Sequence, residues 1–382
     1  MELKTARGRL FLFIALLVSL PLINYELKII ESGKLDGVAP KPEFAPFSLE
    51  NWWDGKFQEQ RNTYFNDSIG LRPDLVRMNN QLDYWLFRKI NANTIILGSD
   101  DYLFGSKYID EYNGLGYMGD SLIRETCYRM KKVQDTLAKL GKTFVFVTSP
   151  SKPYFFSEKI PEYLQRREPH TTSYFAYEHF ADSFHVNKID FNAWFKKIKD
   201  TSKQVLMTRQ GIHWSVYGGV LAADSMIRYI EHERGINMPH LHITRLNFSD
   251  TPRHPDADLG SILNLIYPIT KERLTYPDLE YTEQGNVQKP KTIYIGDSFL
   301  WLWNDDQLMR KTSIGWEFWY YNTTIWTENV AEAHMSEYKW QDSMMKADCI
   351  VLMYTPFNFT QLGARDGFIN NAFKYFYPLD KR

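Results

Sequence analysis

The sequence has few residues that would support disulfide, metal or nucleotide chemistry. Its only cysteines are Cys127 and Cys349, which are too few for a disulfide framework or a cysteine zinc site. A single disulfide between them is one alternative, and a buried free thiol is expected at Cys349, which lies in an apolar run. No metal-ligand cluster, phosphate-binding loop or dinucleotide fingerprint occurs, so no metal and no soluble cofactor is expected.

Excess charge of either sign is also lacking. The chain of 382 residues has 45 basic and 46 acidic side chains and a formal net charge of -1. No basic patch with interleaved aromatic residues is present, which argues against nucleic acid as a partner. A hydrophobic content of 44% excludes wholesale disorder. Aromatic residues make up 16%, which suits either an aromatic core or a surface that stacks on sugar rings.

The N terminus carries an apolar run after three cations. Lys4, Arg7 and Arg9 precede the run from Leu10 to Ile23, whose length of about 14 residues is short for a full membrane span and typical of a signal sequence. No small-residue cleavage site follows, so we interpret residues 1–24 as an uncleaved signal anchor, with a cleaved signal as the alternative. The chain is then a single-pass protein of the inner membrane, with its main domain in the periplasm.

Residues 25–90 are predicted to be a linker followed by a helical lead-in. Pro40, Pro42 and Pro46 mark the linker. The apolar spacing between Pro73 and Lys89 is helical, and Pro73 suits the first turn of a helix.

Strands and helices alternate through residues 91–382, which we predict to be one α/β domain. Thr143–Thr148 and Asp348–Met353 are nearly continuous apolar runs, which is typical of strands covered on both faces. The alternation predicts a parallel sheet flanked by helices, with functional residues at the carboxyl ends of strands. Residues 231–290 show no regular pattern and are predicted to be irregular insertions.

The most informative motif lies at residues 292–300. Thr292–Ile295 is predicted to be a short buried strand, Gly296 and Asp297 to form a turn, and Ser298 to begin a helix. A serine at such an elbow has its hydroxyl lifted out of the sheet, beside helix N–H groups that can stabilise an oxyanion. Capping of the helix by Ser298 is the simpler alternative.

A second polar group of residues lies far upstream, at Gly211–Ser215. It contains His213, and a serine at a strand–helix elbow together with a distant histidine can perform nucleophilic acyl transfer. We therefore predict Ser298 as nucleophile and His213 as its base. A structural histidine is the alternative.

Four further residues are candidates for supporting roles. Lys152 follows an apolar strand and is either a solvated loop residue or part of the mouth of the site. Asn358 follows another apolar strand and is a candidate oxyanion donor. Tyr320 and Tyr321 either line a glycan groove or belong to an aromatic core.

Four sequence blocks together resemble the AlgX/AlgJ-type SGNH-hydrolase-like proteins, the O-acetyltransferases of exopolysaccharide assembly. The blocks are Leu97–Phe104, Ser149–Pro153, Gly211–Gly218 and Gly296–Phe299. The resemblance implies an SGNH-hydrolase-like (flavodoxin-like) α/β fold, permuted so that histidine precedes serine. It also implies a polysaccharide acceptor, and an acetyl donor supplied by a multispanning membrane O-acyltransferase.

One position departs from the family pattern. The family usually has an aspartate two residues before the histidine, where this chain has Gly211. We expect Asp256, Asp258 or a backbone carbonyl to orient His213 instead. The resemblance implies transfer of acetyl to an extracytoplasmic polysaccharide through an acetyl-serine. The alternatives are a glycan acetyl esterase and, because of Gly211, a non-catalytic glycan-binding or assembly subunit.

Overall fold

The computed structural model describes residues 6–37, 46–166, 170–282 and 285–378. These residues form two compact units. The first comprises the chain up to Asn93 together with Gly260–Ile269, and the second comprises Thr94–Leu259 and the chain from Thr270 onward. Pro40 and Pro42 of the predicted linker lie outside the described residues.

The first unit is helical, and one of its helices is strongly apolar. Its helices are α1 (Ala6–Leu27), α2 (Leu49–Trp53), α3 (Lys56–Ser68) and α4 (Arg72–Phe87). The helix α1 has 22 residues and is by length and composition apolar enough to cross a membrane. The apolar run seen in the sequence is thus only part of a longer helix. The helix predicted from Pro73 is confirmed as α4, with proline in its first turn.

The second unit is built around a mixed sheet of seven strands, ordered β10-β9-β8-β7-β11-β3-β4. Two antiparallel pairs, β1 with β2 and β5 with β6, lie apart from it. The strands are β1 (Ile95–Leu97), β2 (Leu103–Gly105), β3 (Thr143–Thr148), β4 (Lys188–Asp190), β5 (His240–Ser249), β6 (Leu274–Thr282), β7 (Thr292–Gly296), β8 (Glu317–Tyr320), β9 (Thr324–Thr327), β10 (Ala333–His334) and β11 (Cys349–Tyr354).

Helices cover both faces of this sheet. They are α5 (Ser106–Tyr112), α6 (Asp120–Lys139), α7 (Lys152–Phe155), α8 (Ser173–Ser183), α9 (Phe191–Ile198), α10 (Val216–Arg234), α12 (Trp301–Asp305), α13 (Leu308–Thr312), α14 (Trp340–Lys346) and α15 (Phe368–Phe376). The short helix α11 (Asp258–Ile262) contains the point in the sequence where the second unit passes into the first. Alternate side chains of a strand point to opposite faces. In β11, Val351 accordingly packs into one apolar core and Ile350 into the other.

The strand order identifies the position of a binding crevice. Five strands are parallel, in the order β8-β7-β11-β3-β4, and β9 and β10 pair antiparallel at the edge. Counted from β7, the parallel order is 2-1-3-4-5, the flavodoxin order in permuted form. The predicted parallel sheet is therefore confirmed for these five strands. In such sheets ligands bind where the strand order reverses, here beside the carboxyl ends of β7 and β11.

One sequence expectation and one alternative are wrong, whereas the buried free thiol expected at Cys349 is confirmed. Residues 231–290 are not simply irregular, because β5 and β6 form a long antiparallel ribbon. Most side chains of β5 are at least partly exposed, so this strand lacks the apolar pattern that would identify it. The disulfide alternative is also wrong, because Cys127 and Cys349 are free and buried in the cores on opposite faces of the sheet.

Candidate active site

Ser298 lies at the carboxyl end of β7, at the predicted strand–helix elbow. Of residues 292–300, all are buried except Ser298, which is partly exposed. A single 3-10 turn, Ser298–Leu300, leads into α12. The cap of this turn is Asp297, whose Oδ1 accepts from the Phe299 N–H at 3.2 Å. The capping role considered for Ser298 therefore belongs to Asp297, and the serine hydroxyl is left for other contacts.

Asp297 also ties the elbow to the end of β11. Its Oδ2 accepts from the Thr355 N–H, the Thr355 hydroxyl and Asn358 Nδ2, each at 2.8 Å. Asn358 Nδ2 lies a further 3.3 Å from the Tyr321 hydroxyl. The amide of Asn358 is thus engaged in supporting the elbow, which corrects its expected role as an oxyanion donor.

His213 reaches Ser298 from the loop between α9 and α10. The loop is closed by the Met207–Trp214 bridge, and Trp214 is fully buried with its ring 5.2 Å from that of Phe299. His213 Nε2 lies 2.8 Å from Ser298 Oγ. The two residues predicted as base and nucleophile are therefore in hydrogen-bond contact.

Asp258 supplies the carboxylate that Gly211 does not. Its Oδ2 lies 2.5 Å from His213 Nδ1, and its Oδ1 accepts from the Ile212 N–H at 2.8 Å. A proton on Nδ1, donated to Asp258, leaves Nε2 as the acceptor for the Ser298 hydroxyl. The three side chains have the connectivity of a Ser-His-Asp triad, so the observation that favoured a degenerate site no longer applies.

Asp256, the other candidate acid, is bonded to the start of α10 and not to the histidine, whose partner is Asp258. Its side chain is only 2% exposed, and its Oδ1 accepts from the Val216 N–H, at the start of α10, at 3.2 Å. Burial raises the pKa of this carboxyl to about 7. Asp256 therefore supports the base of the histidine loop and does not orient the His213 ring.

The structure also explains why position 211 is glycine. A Cβ at Gly211 would lie 2.6 Å from Thr208 Oγ1 and 2.9 Å from the Asp256 carbonyl oxygen, closer than side chains normally approach. The Thr208 hydroxyl itself donates to the Asp256 carbonyl at 2.6 Å. No aspartate fits at position 211 unless this loop moves.

Gly211→Asp is therefore expected to lower activity, although it restores the residue usual in the family. The added side chain should displace the loop and destabilise the fold by about 1–3 kcal/mol. Urea unfolding and hydrolysis of an aryl acetate would measure the two effects, and Gly211→Ala should show a smaller loss of the same kind. Higher activity in the aspartate variant would contradict this account.

Lys152 was predicted to be a solvated loop residue or part of the mouth of the site, and both alternatives are wrong. It is fully buried, and its Nζ donates to the carbonyl oxygens of Arg209 at 2.7 Å and Gly211 at 2.6 Å. Burial lowers its pKa to about 7, although Asp258 and Glu272 favour the charged form. Lys152 thus holds the loop that carries His213.

Lys152→Met is expected to impair catalysis as well as stability. Two buried carbonyl groups would lose their donor, at a cost of about 2–4 kcal/mol, and misplacement of His213 should lower kcat roughly ten- to hundredfold. Lys142 offers a matched control, because its Nζ also donates to two carbonyls, those of Met345 and Ala347, at the opposite end of β3. Lys142→Met should reduce stability and leave kcat of the folded enzyme unchanged; equal kcat losses would refute the loop role.

Half-buried aromatic side chains stand beside the elbow. Tyr321 donates its backbone N–H to the Gly296 carbonyl at 2.8 Å, and its ring lies 4.6 Å from that of Tyr320. Trp301 contacts the rings of Tyr320 and Trp326 at 5.6 and 4.8 Å. Trp301 and Trp326 were not anticipated, although the position of Trp301, three residues after the elbow serine, was an available signal.

In the part of the chain that the structure describes, no group of three or more His, Cys, Asp or Glu side chains is arranged to hold a metal ion. A serine, a histidine and a carboxylate in this order can exchange acyl groups between oxygen atoms.

Comparison with known proteins identifies the family to which the chain is similar. The model of the family described as "SGNH hydrolase-like domain, acetyltransferase AlgX" matches residues 95–299, which is more than half of the chain and includes His213, Asp258 and Ser298. No curated protein sequence matches this chain significantly.

Three solved structures are similar at low sequence identity. The O-acetyltransferase domain of Pseudomonas putida AlgJ is 18% identical, with a TM-score of 0.48, over 74% of this chain and 99% of that one. Bacillus cereus PatB1 with a sulfonyl adduct is 12% identical, with a TM-score of 0.47, over 69% and 96%. Pseudomonas aeruginosa AlgX is 11% identical, with a TM-score of 0.45, over 73% and 66%.

Proposed function

Because this chain belongs to the AlgX family of SGNH-hydrolase-like acetyltransferases, we propose that it is a serine-dependent polysaccharide O-acetyltransferase that works through an acetyl-serine. Its α/β fold is the SGNH-hydrolase-like one that the sequence predicts. The observation that carries the proposal is the chain of contacts from Ser298 Oγ through the His213 ring to Asp258, with distances of 2.8 and 2.5 Å.

The first half of the reaction loads the serine. As Ser298 Oγ attacks the carbonyl carbon of an acetyl ester, its proton passes to His213 Nε2. The resulting imidazolium is stabilised by the Asp258 carboxylate. The tetrahedral intermediate then collapses with cleavage of the bond to the donor oxygen. That oxygen leaves with the proton from His213, and the acetyl group remains on Ser298.

The second half transfers the acetyl group to the acceptor. A sugar hydroxyl gives its proton to His213 Nε2 while its oxygen attacks the acetyl carbon. Ser298 Oγ leaves and recovers the proton, and the sugar is released as its acetyl ester. Transfer in place of hydrolysis requires the sugar hydroxyl to outcompete water at this step.

The oxyanion needs donors near the elbow. The Phe299 N–H is already bonded to Asp297, so the Ser298 N–H at the start of the 3-10 turn is the first candidate donor. Its position next to the attacking Oγ is the arrangement that an oxyanion hole requires.

The partners follow from the family and from the surroundings of the serine. We propose a polysaccharide acceptor, held in part by Tyr320, Tyr321 and Trp301, whose rings suit stacking on sugar faces. The acetyl donor would come from a multispanning membrane O-acyltransferase. With α1 as a signal anchor, the protein would be a single-pass protein of the inner membrane with its site in the periplasm.

Trapping the intermediate would test this function. The purified full-length protein in detergent would be exposed to an aryl acetate and digested for mass spectrometry, which should find a 42-Da acetyl group on Ser298, a mass set by the chemistry of acetylation. Added oligosaccharide should then remove the label and gain acetyl ester. Loss of the label to water alone would favour an acetyl esterase, and absence of any label would favour a non-catalytic glycan-binding subunit.

A further inference from the structure

Helix α4 buries polar side chains and exposes apolar ones, the opposite of the usual arrangement in a helix of a water-soluble domain. Its buried residues are polar: Asn80, Gln81 and Tyr84. They face residues 260–269 of the same unit, where Asn80 Nδ2 donates to the Leu263 carbonyl at 2.9 Å and Gln81 Oε1 accepts from the Tyr267 N–H at 2.9 Å. The inner face of α4 is therefore secured by hydrogen bonds and contributes little apolar burial.

The outer face of α4 is apolar, and we call it the apolar stripe. At 100° per residue its members lie within roughly 100° of the helix circumference. Trp85 is 59% exposed and stacks on Tyr267, also 59% exposed, at 5.8 Å. The stripe consists of Leu75, Met78, Leu82, Trp85 and Leu86, all at least 42% exposed. A helix in water would turn such a stripe inward.

The start of α4 is held against the end of α1. The turn before α4 approaches α1 so closely that a Cβ at Gly70 would lie 2.5 Å from the Pro21 carbonyl oxygen and the Tyr25 nitrogen. The rings of Tyr25 and Phe65 are 6.2 Å apart. The first residues of α4 therefore lie beside the C-terminal end of α1.

The chain that leaves α1 returns directly to α4. Arg77 donates from Nη1 to the Gly33 carbonyl at 3.0 Å and from Nη2 to the Lys34 carbonyl at 2.6 Å. The Ser32 hydroxyl donates to the Asp74 carboxylate. Only a few residues separate these contacts from the last residue of α1. They therefore hold α4 close to the C-terminal end of α1.

We propose that the apolar stripe of α4 lies in the interfacial layer of the same lipid bilayer that α1 crosses. This inference rests on the proposed membrane anchoring by α1. Trp85 and Tyr267 have apolar rings with one polar tip, the side chains preferred at this depth. Arg88 and Lys89 follow the stripe at the end of α4, where Arg88 lies over the Tyr84 ring and Lys89 pairs with Asp83. The first unit would then contact the membrane surface through α4 as well as through α1.

Fluorescence quenching in the full-length protein would test the location of the stripe. Because Cys127 and Cys349 are both 0% exposed, an introduced surface cysteine can be labelled selectively. Leu82→Cys would carry a fluorophore in the stripe, Val18→Cys would report on α1, and Ser183→Cys, exposed on α8, would serve as the aqueous control. Each protein would be reconstituted in phosphatidylcholine–phosphatidylglycerol vesicles and titrated with aqueous iodide or with acyl-chain nitroxide lipid.

The expected result is that positions 18 and 82 are quenched by the nitroxide lipid and protected from iodide, with the reverse at position 183. Quenching of position 82 by iodide, with position 18 still quenched by nitroxide, would overturn this inference and leave the anchor intact. Protection of position 82 from both quenchers would also overturn it, because a protein and not lipid would then cover the stripe. Failure of nitroxide to quench position 18 would overturn the anchor and the inference together.

Discussion

Ser298→Ala is expected to abolish acetyl transfer, with kcat falling by about 10⁴-fold or more, as for other removals of a serine nucleophile. The fold should survive, because Ser298 is partly exposed and the cap of the turn is Asp297. Product acetylation, acetyl-enzyme formation and thermal unfolding would be measured on the same preparation. Acetylation at the wild-type rate would eliminate Ser298 as nucleophile.

His213→Ala provides the matching test of the proton path. It should impair the same step as Ser298→Ala, and the double variant should be little worse than either single one, because the two side chains act as one unit. Multiplied losses would mean that the serine and the histidine work in separate sites.

Asp258→Asn is expected to lower kcat by about 10³- to 10⁴-fold with little change in fold. An amide at this position can present its NH₂ group to His213, which favours the proton on Nε2 and leaves no acceptor for the serine hydroxyl. Acetyl-enzyme formation after mixing with an aryl acetate would measure the loss. Activity close to wild type would show that the histidine is oriented by another group.

Asp256→Asn is the matched control, since this acid lies two residues away and is buried without contacting the histidine. Its activity should stay near that of the wild type, whereas its stability should change with pH. The pKa of the Asp256 carboxyl is raised by burial from 3.8 to about 7. Between those values the folded state holds more protons, so its contribution is full at low pH and is lost as pH rises to about 7. In Asp256→Asn this decline in the free energy of unfolding should be smaller, by about 1–3 kcal/mol.

The sequence predicts the reactive pair because each member lies in a local motif. Ser298 follows a short apolar strand and a Gly-Asp turn, and the strand's burial makes the turn recognisable. The choice between Asp256 and Asp258 is different, since both lie in one short segment. Which carboxylate meets His213 depends on how the segment turns against the histidine loop, and that is decided by tertiary contacts such as the Thr208–Asp256 hydrogen bond.

The wrong predictions for Lys152 and for the ribbon of β5 and β6 also arise because tertiary contacts are not visible in local sequence patterns. Lys152 can be buried only because two carbonyls from the distant loop at Arg209 and Gly211 converge on its ammonium group, and no local pattern encodes that convergence. The ribbon of β5 and β6 escapes notice because most side chains of β5 are at least partly exposed. A strand without a buried face lacks the periodicity from which strands are predicted.

The position of β11 has a consequence for biogenesis. It is the last strand of the sheet in the described sequence, yet it lies between β7 and β3. Before it inserts, those two strands have no common neighbour, and the Asp297 carboxylate lacks the Thr355 and Asn358 donors that brace the elbow. A chain emerging N-terminus first would carry its serine, histidine and aspartate for some time without a rigid centre. Reactivity toward acetyl esters is therefore expected only once β11 has taken its place between β7 and β3.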